Sequence, residues 1–344
     1  MSALSLFWSL AAFAFALGAV VGSFLNVVIY RVPAGQSVVS PGSRCPSCET
    51  PISWYDNIPI LSWLVLRARC RHCKTSISAR YPLIEALMGL LSLALWIKIA
   101  ARPFRVFEST PIVDPTLLPW TSLGIAFALY FVFLALLVAI TFVDLDHYLI
   151  PHQFTLPGIA LGVIAAWVLN HDGWIAAGAL GGLFPPVSLA SSIAGVVVGG
   201  GAVILLFYLY FAARGIQGLG GGDVTMMALM GAWLGWPALI FIFFAASVQG
   251  LIAAALGALF GAEFLKDSEE ILAQELPSQA PAQPADDSPP EELDEAPESE
   301  PDEAPQGGLA VPFGPFIALA GLQFFFVGEF LPDWLAMTYI YYGP

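Results

Sequence analysis

Charge is scarce in this chain of 344 residues: Asp, Glu, Lys and Arg make up 11% of it, against 58% hydrophobic residues and a mean hydropathy of +0.78. A soluble enzyme carries roughly 25% charged residues, so the shortage excludes a soluble globular protein. The abundance of large apolar side chains excludes a disordered chain. Cysteine is rare as well, with four in all, too few for a secreted disulfide scaffold. Basic residues number 12. No nucleic-acid partner is expected. What the chain has in quantity is long apolar runs. It reads as an all-α polytopic membrane protein whose solvent is the lipid bilayer.

A membrane-crossing helix needs about 20 mostly apolar residues. Leu4 to Tyr30, Pro82 to Ala101, Thr121 to Val143, Phe154 to Asn170 and Val187 to Ala213 each qualify. Leu4 to Tyr30 lacks a basic n-region and an obvious cleavage site, so it is expected to be a retained helix and not a removed signal peptide. Val224 to Ala262 runs 39 residues without charge, too long for one crossing at about 1.5 Å per residue. Trp236-Pro237 splits it into two spans, and Leu309 to Gly328 is the last. The expected count is about eight.

Seven basic residues (Arg31, Arg44, Arg67, Arg69, Arg71, Lys74 and Arg80) lie between the first two spans. The positive-inside rule assigns that loop to the cytoplasm. Parity then brings the loops at 144–153, 214–223 and 263–308 to the same side, and 102–120 and 171–186 to the other. The expected organisation is a first span over 1–30, a small cytoplasmic loop domain over 31–81, a transmembrane catalytic domain over 82–262, an insertion over 263–308, and a last span with the C-terminus over 309–344. Between Glu263 and Glu303 fall 15 of the 26 acidic residues but only one basic residue. This Pro-rich acidic stretch cannot bury enough surface to offset its chain entropy and is expected to be disordered.

All four cysteines fall in the basic loop, as Cys45-Pro-Ser-Cys48 and Cys70-Arg-His-Cys73. Cytosolic thiols stay reduced, and two C-x-x-C knuckles can present four thiolates tetrahedrally to zinc. Cys45, Cys48, Cys70 and Cys73 are therefore the expected ligands of a structural Zn2+ ion, with His72 a spacer. In a loop of this size the metal would supply much of the folding energy.

Ionisable groups at membrane depth are costly and mark functional sites. Asp144-Leu-Asp146-His147 immediately follows the third span, and Gly220-Gly-Gly-Asp223 opens the sixth. Two crossings separate them, so both lie on the same side. Two carboxylates in close proximity do not both ionise comfortably. One keeps a proton and acts as acid while the other activates water, which is the chemistry of aspartic peptide hydrolysis. The glycines before Asp223 would let a strained backbone approach a substrate strand closely, with no Cβ in the way. Competing readings are a helix-capping role for Asp223 and an ion-coupled transporter with a zinc cap. Spacing alone leaves Asp144 against Asp146 open.

Taken in order, Gly22-Ser-Phe-Leu-Asn-Val-Val-Ile-Tyr-Arg31, the two knuckles, Ile77-Ser-Ala-Arg-Tyr-Pro82 with Glu85, the Asp144–Pro151 stretch and Gly220–Asp223 resemble the type IV prepilin peptidases. These are bifunctional leader peptidase/N-methyltransferases of bacterial inner membranes, and the resemblance covers roughly residues 18 to 260. It implies an intramembrane aspartic peptidase of the G-x-G-D type that cuts the basic leader of prepilins and pseudopilins after a glycine, at the cytoplasmic face. It also implies methylation of the new N-terminal residue from S-adenosylmethionine. The resemblance places the catalytic pair on Asp144 and Asp223, since shorter relatives keep only the first aspartate of the Asp144 motif. It matches the four cysteines to the family's metal-binding positions. The loop contains no Gly-rich nucleotide fingerprint, so the position of S-adenosylmethionine is not assigned. Asn26 and Glu85 are either part of such a site or helix–helix polar contacts. Relatives run compactly to the end, whereas here the acidic insertion precedes the last span and leaves that span's role open.

Overall fold

In hydrocarbon every backbone N–H and C=O must be satisfied internally, and the apolar runs meet that requirement as helices. The structure, a computed structural model, describes residues 3–109, 120–170, 185, 187–214, 220–260 and 312–330. The helices are α1 (Ala3–Arg31), α2 (Leu61–Val65), α3 (Arg80–Ser109), α4 (Trp120–His147), α5 (His152–Asn170), α6 (Leu189–Arg214), α7 (Gly221–Leu234), α8 (Ala238–Phe260) and α9 (Gly314–Val327). A single 3-10 turn, Trp54–Asn57, precedes α2, and another, Gly328–Phe330, extends α9. The described residues contain no β-strand beyond two isolated bridges in the loop.

The fold is thus all-helical and multi-pass, as expected. Six helices, α1, α3, α4, α5, α6 and α8, are long and apolar enough to cross a membrane. The expected spans at Val224–Trp236 and Leu309–Gly328 correspond to α7 and α9, which have 14 residues each. At about 1.5 Å per residue these cover roughly 21 Å, so the count of eight full-length crossings is not reached on length. The acidic stretch 263–308 lies outside the described residues.

The chain divides into two compact units, residues 1–247 with 312–344, and residues 248–311. Of the second, the described part is the C-terminal half of α8. In the first, α1 and α3 pack along a seam of small residues. A Cβ on Gly22 would stand 2.8 Å from Glu85 Cα, and one on Gly18 would stand 2.6 Å from Ser92 Cβ. Such contact between backbones is how helices associate where no hydrophobic drive exists. Ser92 Oγ donates to the Ala14 carbonyl at 2.6 Å and Trp96 Nε1 to the Phe7 carbonyl at 3.2 Å.

Helix α4 is the hub and touches α1, α3, α5 and α9. On the far side of α4, α7 is buried from Met226 to Leu234 and crosses α6 where Gly195 and Gly231 face each other. A Cβ on either glycine would collide with the other's backbone. The Phe133 and Trp233 rings stack with centroids 4.9 Å apart, and Tyr130 meets Phe325 of α9 at the same separation.

Ion pairs identify the two ends of this bundle. Arg80, at the start of α3, pairs with Asp146 at the end of α4, and its guanidinium lies 5.5 Å from the centre of the Phe142 ring. Lys98, near the end of the α3 span, pairs with Glu329 beyond α9 at 3.6 Å. The loop, the end of α4 and the start of α9 therefore share one end.

Candidate active site

Asp144 is the fourth residue from the end of α4, and it is buried, with 4% of its surface exposed. A carboxylate in this position requires a reason, since an uncompensated buried charge is costly. Its surroundings are set by three backbone features. The chain leaves α4 through Tyr148, which has a φ of 53°, and returns at Ile150 to form one wall. Gly222, in the first turn of α7, packs so tightly on that wall that a Cβ would stand 2.7 Å from Ile150 Cβ. Gly314, the first residue of α9, approaches so closely that a Cβ would overlap Asp144 Oδ2 and stand 3.0 Å from Ile150 Cδ1. The Gly314 backbone amide faces Asp144 as a hydrogen-bond donor, while Oδ2 itself is buried without a hydrogen-bond partner among the described residues.

Asp223 reaches the same place from α7. The two carboxylates interact electrostatically, so the two crossings between them do return them to one locus. Asp223 is also bonded within its own helix: its Oδ2 accepts the Gly220 N–H at 3.3 Å, and its own N–H donates to the Gly220 carbonyl at 3.1 Å. The capping reading of Asp223 and its pairing with Asp144 therefore hold together. The expected role for the glycines needs correction. Gly220 has an ordinary extended backbone, with φ −83° and ψ 155°, so no strained conformation is stored there. Gly222 is small because Ile150 leaves no room for a side chain, and only Gly221 has open space where a Cβ would stand.

The structure separates the two aspartates of the Asp144 motif. Asp146 is taken up by Arg80, whereas no cation pairs with Asp144 among the described ion pairs. Both Asp144 and Asp223 sit at helix ends. A transporter's ion site is expected at mid-span, and these positions do not match it.

Asn26 makes a polar contact between α1 and α3, and Glu85 holds the loop to the helices. Asn26 Nδ2 donates to the Tyr81 carbonyl at 3.3 Å. Glu85 Oε2 accepts the Ile60 N–H at 2.7 Å, and the Ser23 hydroxyl also bonds this carboxylate. Ile60 has a φ of 64°, a costly conformation for a β-branched residue. The hydrogen bond to Glu85 on α3 offsets part of that cost.

The four cysteines converge. Their sulfurs all lie within 4.8 Å of one another, and Cys45 Sγ and Cys73 Sγ are 3.7 Å apart. A tetrahedron with metal–sulfur bonds of about 2.3 Å has edges of about 3.8 Å, so the donor set fits a metal ion. The two knuckles are built alike. Cys45 N–H donates to the Thr50 carbonyl at 3.0 Å, and Cys70 N–H to the Thr75 carbonyl at 2.8 Å. The residues after the second cysteines, Glu49 and Lys74, have φ of 52° and 62°. The sequence carries this repeat as Arg-Cys-x-x-Cys-x-Thr-x-Ile at Arg44–Ile52 and Arg69–Ile77, a stronger signal than the cysteine spacing by itself.

Burial pushes the Cys45 thiol up to about 11. The Thr75 hydroxyl and backbone bring Cys73 down to about 6, and the Thr50 hydroxyl and backbone likewise lower Cys48. Arg71 grips Asp56 through two bonds of 2.5 and 2.7 Å and holds its carboxyl below the usual range.

Gly314 is the site residue that sequence reasoning did not reach. Its signal is the Gly-Pro pair at the start of the last apolar run, which suits a helix N-terminus.

Two family descriptions match the chain: Bacterial Peptidase A24 N-terminal domain over residues 16–99, and Type IV leader peptidase family over residues 131–255. The first runs from the middle of α1 through the cysteine loop and most of the α3 span, and the second runs from mid-α4 into α8, so α9 and Gly314 lie outside both. The prepilin leader peptidase/N-methyltransferase of Myxococcus xanthus (strain DK1622) is 39% identical over 246 residues, which is 72% of this chain and 62% of that protein. The protein of the same name from Neisseria gonorrhoeae is 36% identical over 263 residues, 69% of this chain and 79% of that one. That of Stutzerimonas stutzeri is 30% identical over 331 residues, 90% of this chain and 87% of its own. No solved structure gives a significant match. A membrane bundle that gathers two helix-end carboxylates beside a four-cysteine loop, with relatives of this extent, belongs to the type IV leader peptidase family.

Proposed function

We propose that this protein removes the basic leader of type IV prepilins and pseudopilins by intramembrane aspartic hydrolysis, cutting after a glycine, and then N-methylates the new N-terminal residue. The observation that carries the reading is the meeting of Asp144 and Asp223 at the end of the bundle that also holds the cysteine loop. In the reaction one carboxyl carries the proton shared between the two and gives it to the leaving amine. The other takes a proton from the attacking water. The Gly314 amide holds the Asp144 carboxylate in place, and the open face at Gly221 admits the substrate backbone. A prepilin is an apolar helix with a basic leader, so it would enter laterally from the bilayer with its cut site at the carboxylates.

Cys45, Cys48, Cys70 and Cys73 would hold Zn2+ in a closed structural site, where the metal cross-links two halves of a loop too small to have a core of its own. The methyl group would come from S-adenosylmethionine, and the 31–81 loop would form the domain beside the catalytic helices 82–262. The chain would lie in the bacterial inner membrane with the loop and the carboxylates facing the cytoplasm, as the basic residues of the loop favour.

The test is to co-express a prepilin with the wild type, Asp144→Asn and Asp223→Asn, and to weigh the pilin. Wild-type protein should yield a product shortened by its leader and heavier by one methyl group, and each variant should leave the precursor intact. Cleavage surviving both substitutions defeats the carboxylate pair, and a cleaved but unmethylated product with the wild type removes the methyltransferase half.

A further inference from the structure

The cysteine loop exposes apolar side chains that a solvated domain would hide. Trp54 is 81% exposed, Leu61 60%, Leu64 57% and Val65 76%. Leu61, Leu64 and Val65 stand at i, i+3 and i+4 and therefore share a face of α2. Trp54 belongs to the adjoining 3-10 turn. That turn and α2 are tied together, since the Ser62 hydroxyl donates to the Tyr55 carbonyl and accepts from the Ile58 N–H. Exposed Arg67 and Arg69 follow immediately.

The tether decides where this surface lies. Ile60, the residue before α2, donates its N–H to Glu85 at 2.7 Å. Glu85 is five residues into the α3 span, which begins at Arg80, or about 7.5 Å along its axis. Trp63 Nε1 donates to the Ile77 carbonyl at 3.0 Å, which fixes α2 again just ahead of the span. The positive-φ backbone of Ile60 carries the first of these bonds. The short helix is thus pinned at the depth where α3 meets the membrane boundary, with its leucines, valine and tryptophan uncovered there.

We infer that α2 and the turn before it form an interfacial anchor, seated on the leaflet at which α1 ends and α3 begins, and that the partner is a lipid surface containing anionic phospholipid. Trp at the headgroup level, a one-turn apolar face beneath it and flanking arginines are the combination that such a surface binds. The apolar side chains enter the acyl boundary, and Arg67 and Arg69 meet the negative headgroups. The consequence is that the metal loop is fixed in depth at both of its ends and in its middle.

The test uses the full chain in nanodiscs of mixed zwitterionic and anionic lipid. Leu64→Trp is compared with Lys74→Trp, which lies on the second knuckle, each read as emission added over the wild type. Lipids brominated on the acyl chains should quench at least half of the emission added by Leu64→Trp and leave that from Lys74→Trp unquenched, and aqueous iodide should do the reverse. In purely zwitterionic nanodiscs the quenching of Leu64→Trp should fall at least twofold. Leu61→Trp, on the same face, gives the same readout where Leu64→Trp does not fold. Identical quenching for positions 64 and 74 overturns the anchor. So does emission from position 64 that is shielded only after a leader-bearing substrate peptide is added, which assigns the face to a polypeptide. Quenching that is indifferent to lipid charge overturns the anionic partner.

Discussion

Replacing Gly314 by Ala adds one methyl group at the most crowded point of the site. Gly314 is the first residue of a helix and has no left-handed backbone, so the main chain accepts alanine, and the change isolates the effect of the Cβ. That atom would overlap Asp144 Oδ2 and stand 3.0 Å from Ile150 Cδ1. Ile150 is itself pinned by Gly222, so the carboxylate is the side that gives. Relief requires a shift of about 1 Å at Asp144, enough to cost about 100-fold in rate, or about 2.7 kcal/mol of barrier. The overpacking should cost about 1–3 kcal/mol of stability. The assay is cleavage of a purified prepilin by detergent-solubilised protein, with the methylation of a leaderless pilin and the thermal midpoint measured on the same preparation. The expected outcome is a cleavage rate about two orders of magnitude down, with methylation retained. Cleavage within about threefold of the wild type by a protein of unchanged midpoint would refute the claim that α9 holds Asp144 in place.

The crossing of α6 and α7 makes a second prediction: Gly195→Ala should lower stability by about 2–3 kcal/mol. Gly201→Ala, where nothing lies within 4 Å of the added atom, should raise stability by about 0.5–1 kcal/mol, because alanine favours a helix interior over glycine; equal thermal midpoints for the two would remove the close crossing. Chelation of the metal should open 31–81 to limited proteolysis in the full chain, where the loaded loop resists it, while the helices stay intact. Metal affinity should fall as pH drops from 7 toward 5, because Cys73 regains its proton through about 6 and a thiolate is the ligand. Loading at pH 7 should release a proton from Cys45, whose metal-free thiol titrates near 11; a metal affinity flat across that range, measured by competition with a chelator dye, is the contrary result. Ala68 has a φ of 56°, so Ala68→Gly should remove about 1–2 kcal/mol of strain against about 0.5–1 kcal/mol of added chain entropy. The net gain should appear as slower hydrogen exchange at Ile77, whose N–H bonds the Ala68 carbonyl at 2.7 Å.

What the sequence reveals about this site follows from what hydrocarbon demands. Charge-free runs must become helices, so the long spans were legible to within two or three residues at most ends. Parity along those spans was enough to return Asp144 and Asp223 to one side. The knuckle cysteines were legible because four thiols in one loop have few alternatives. Three features depend on contacts between segments far apart in sequence, and no local pattern carries them. The difference between Asp144 and Asp146 is made by Arg80, which lies 66 residues from Asp146 and claims the second carboxylate. Glu85 reads as a polar residue within a span, and only its bond to Ile60 shows that it fixes the loop. Gly314 follows the acidic stretch and is separated from Asp223 by the whole of α8. A glycine opening an apolar helix is common, and it acquires meaning only when Asp144 is found against it. The same reasoning accounts for the two short helices. Both α7 and α9 start at the carboxylates, and full-length spans there would bury Asp223 and Gly314 beneath further turns of helix. Helices of 14 residues leave the pair at a helix end.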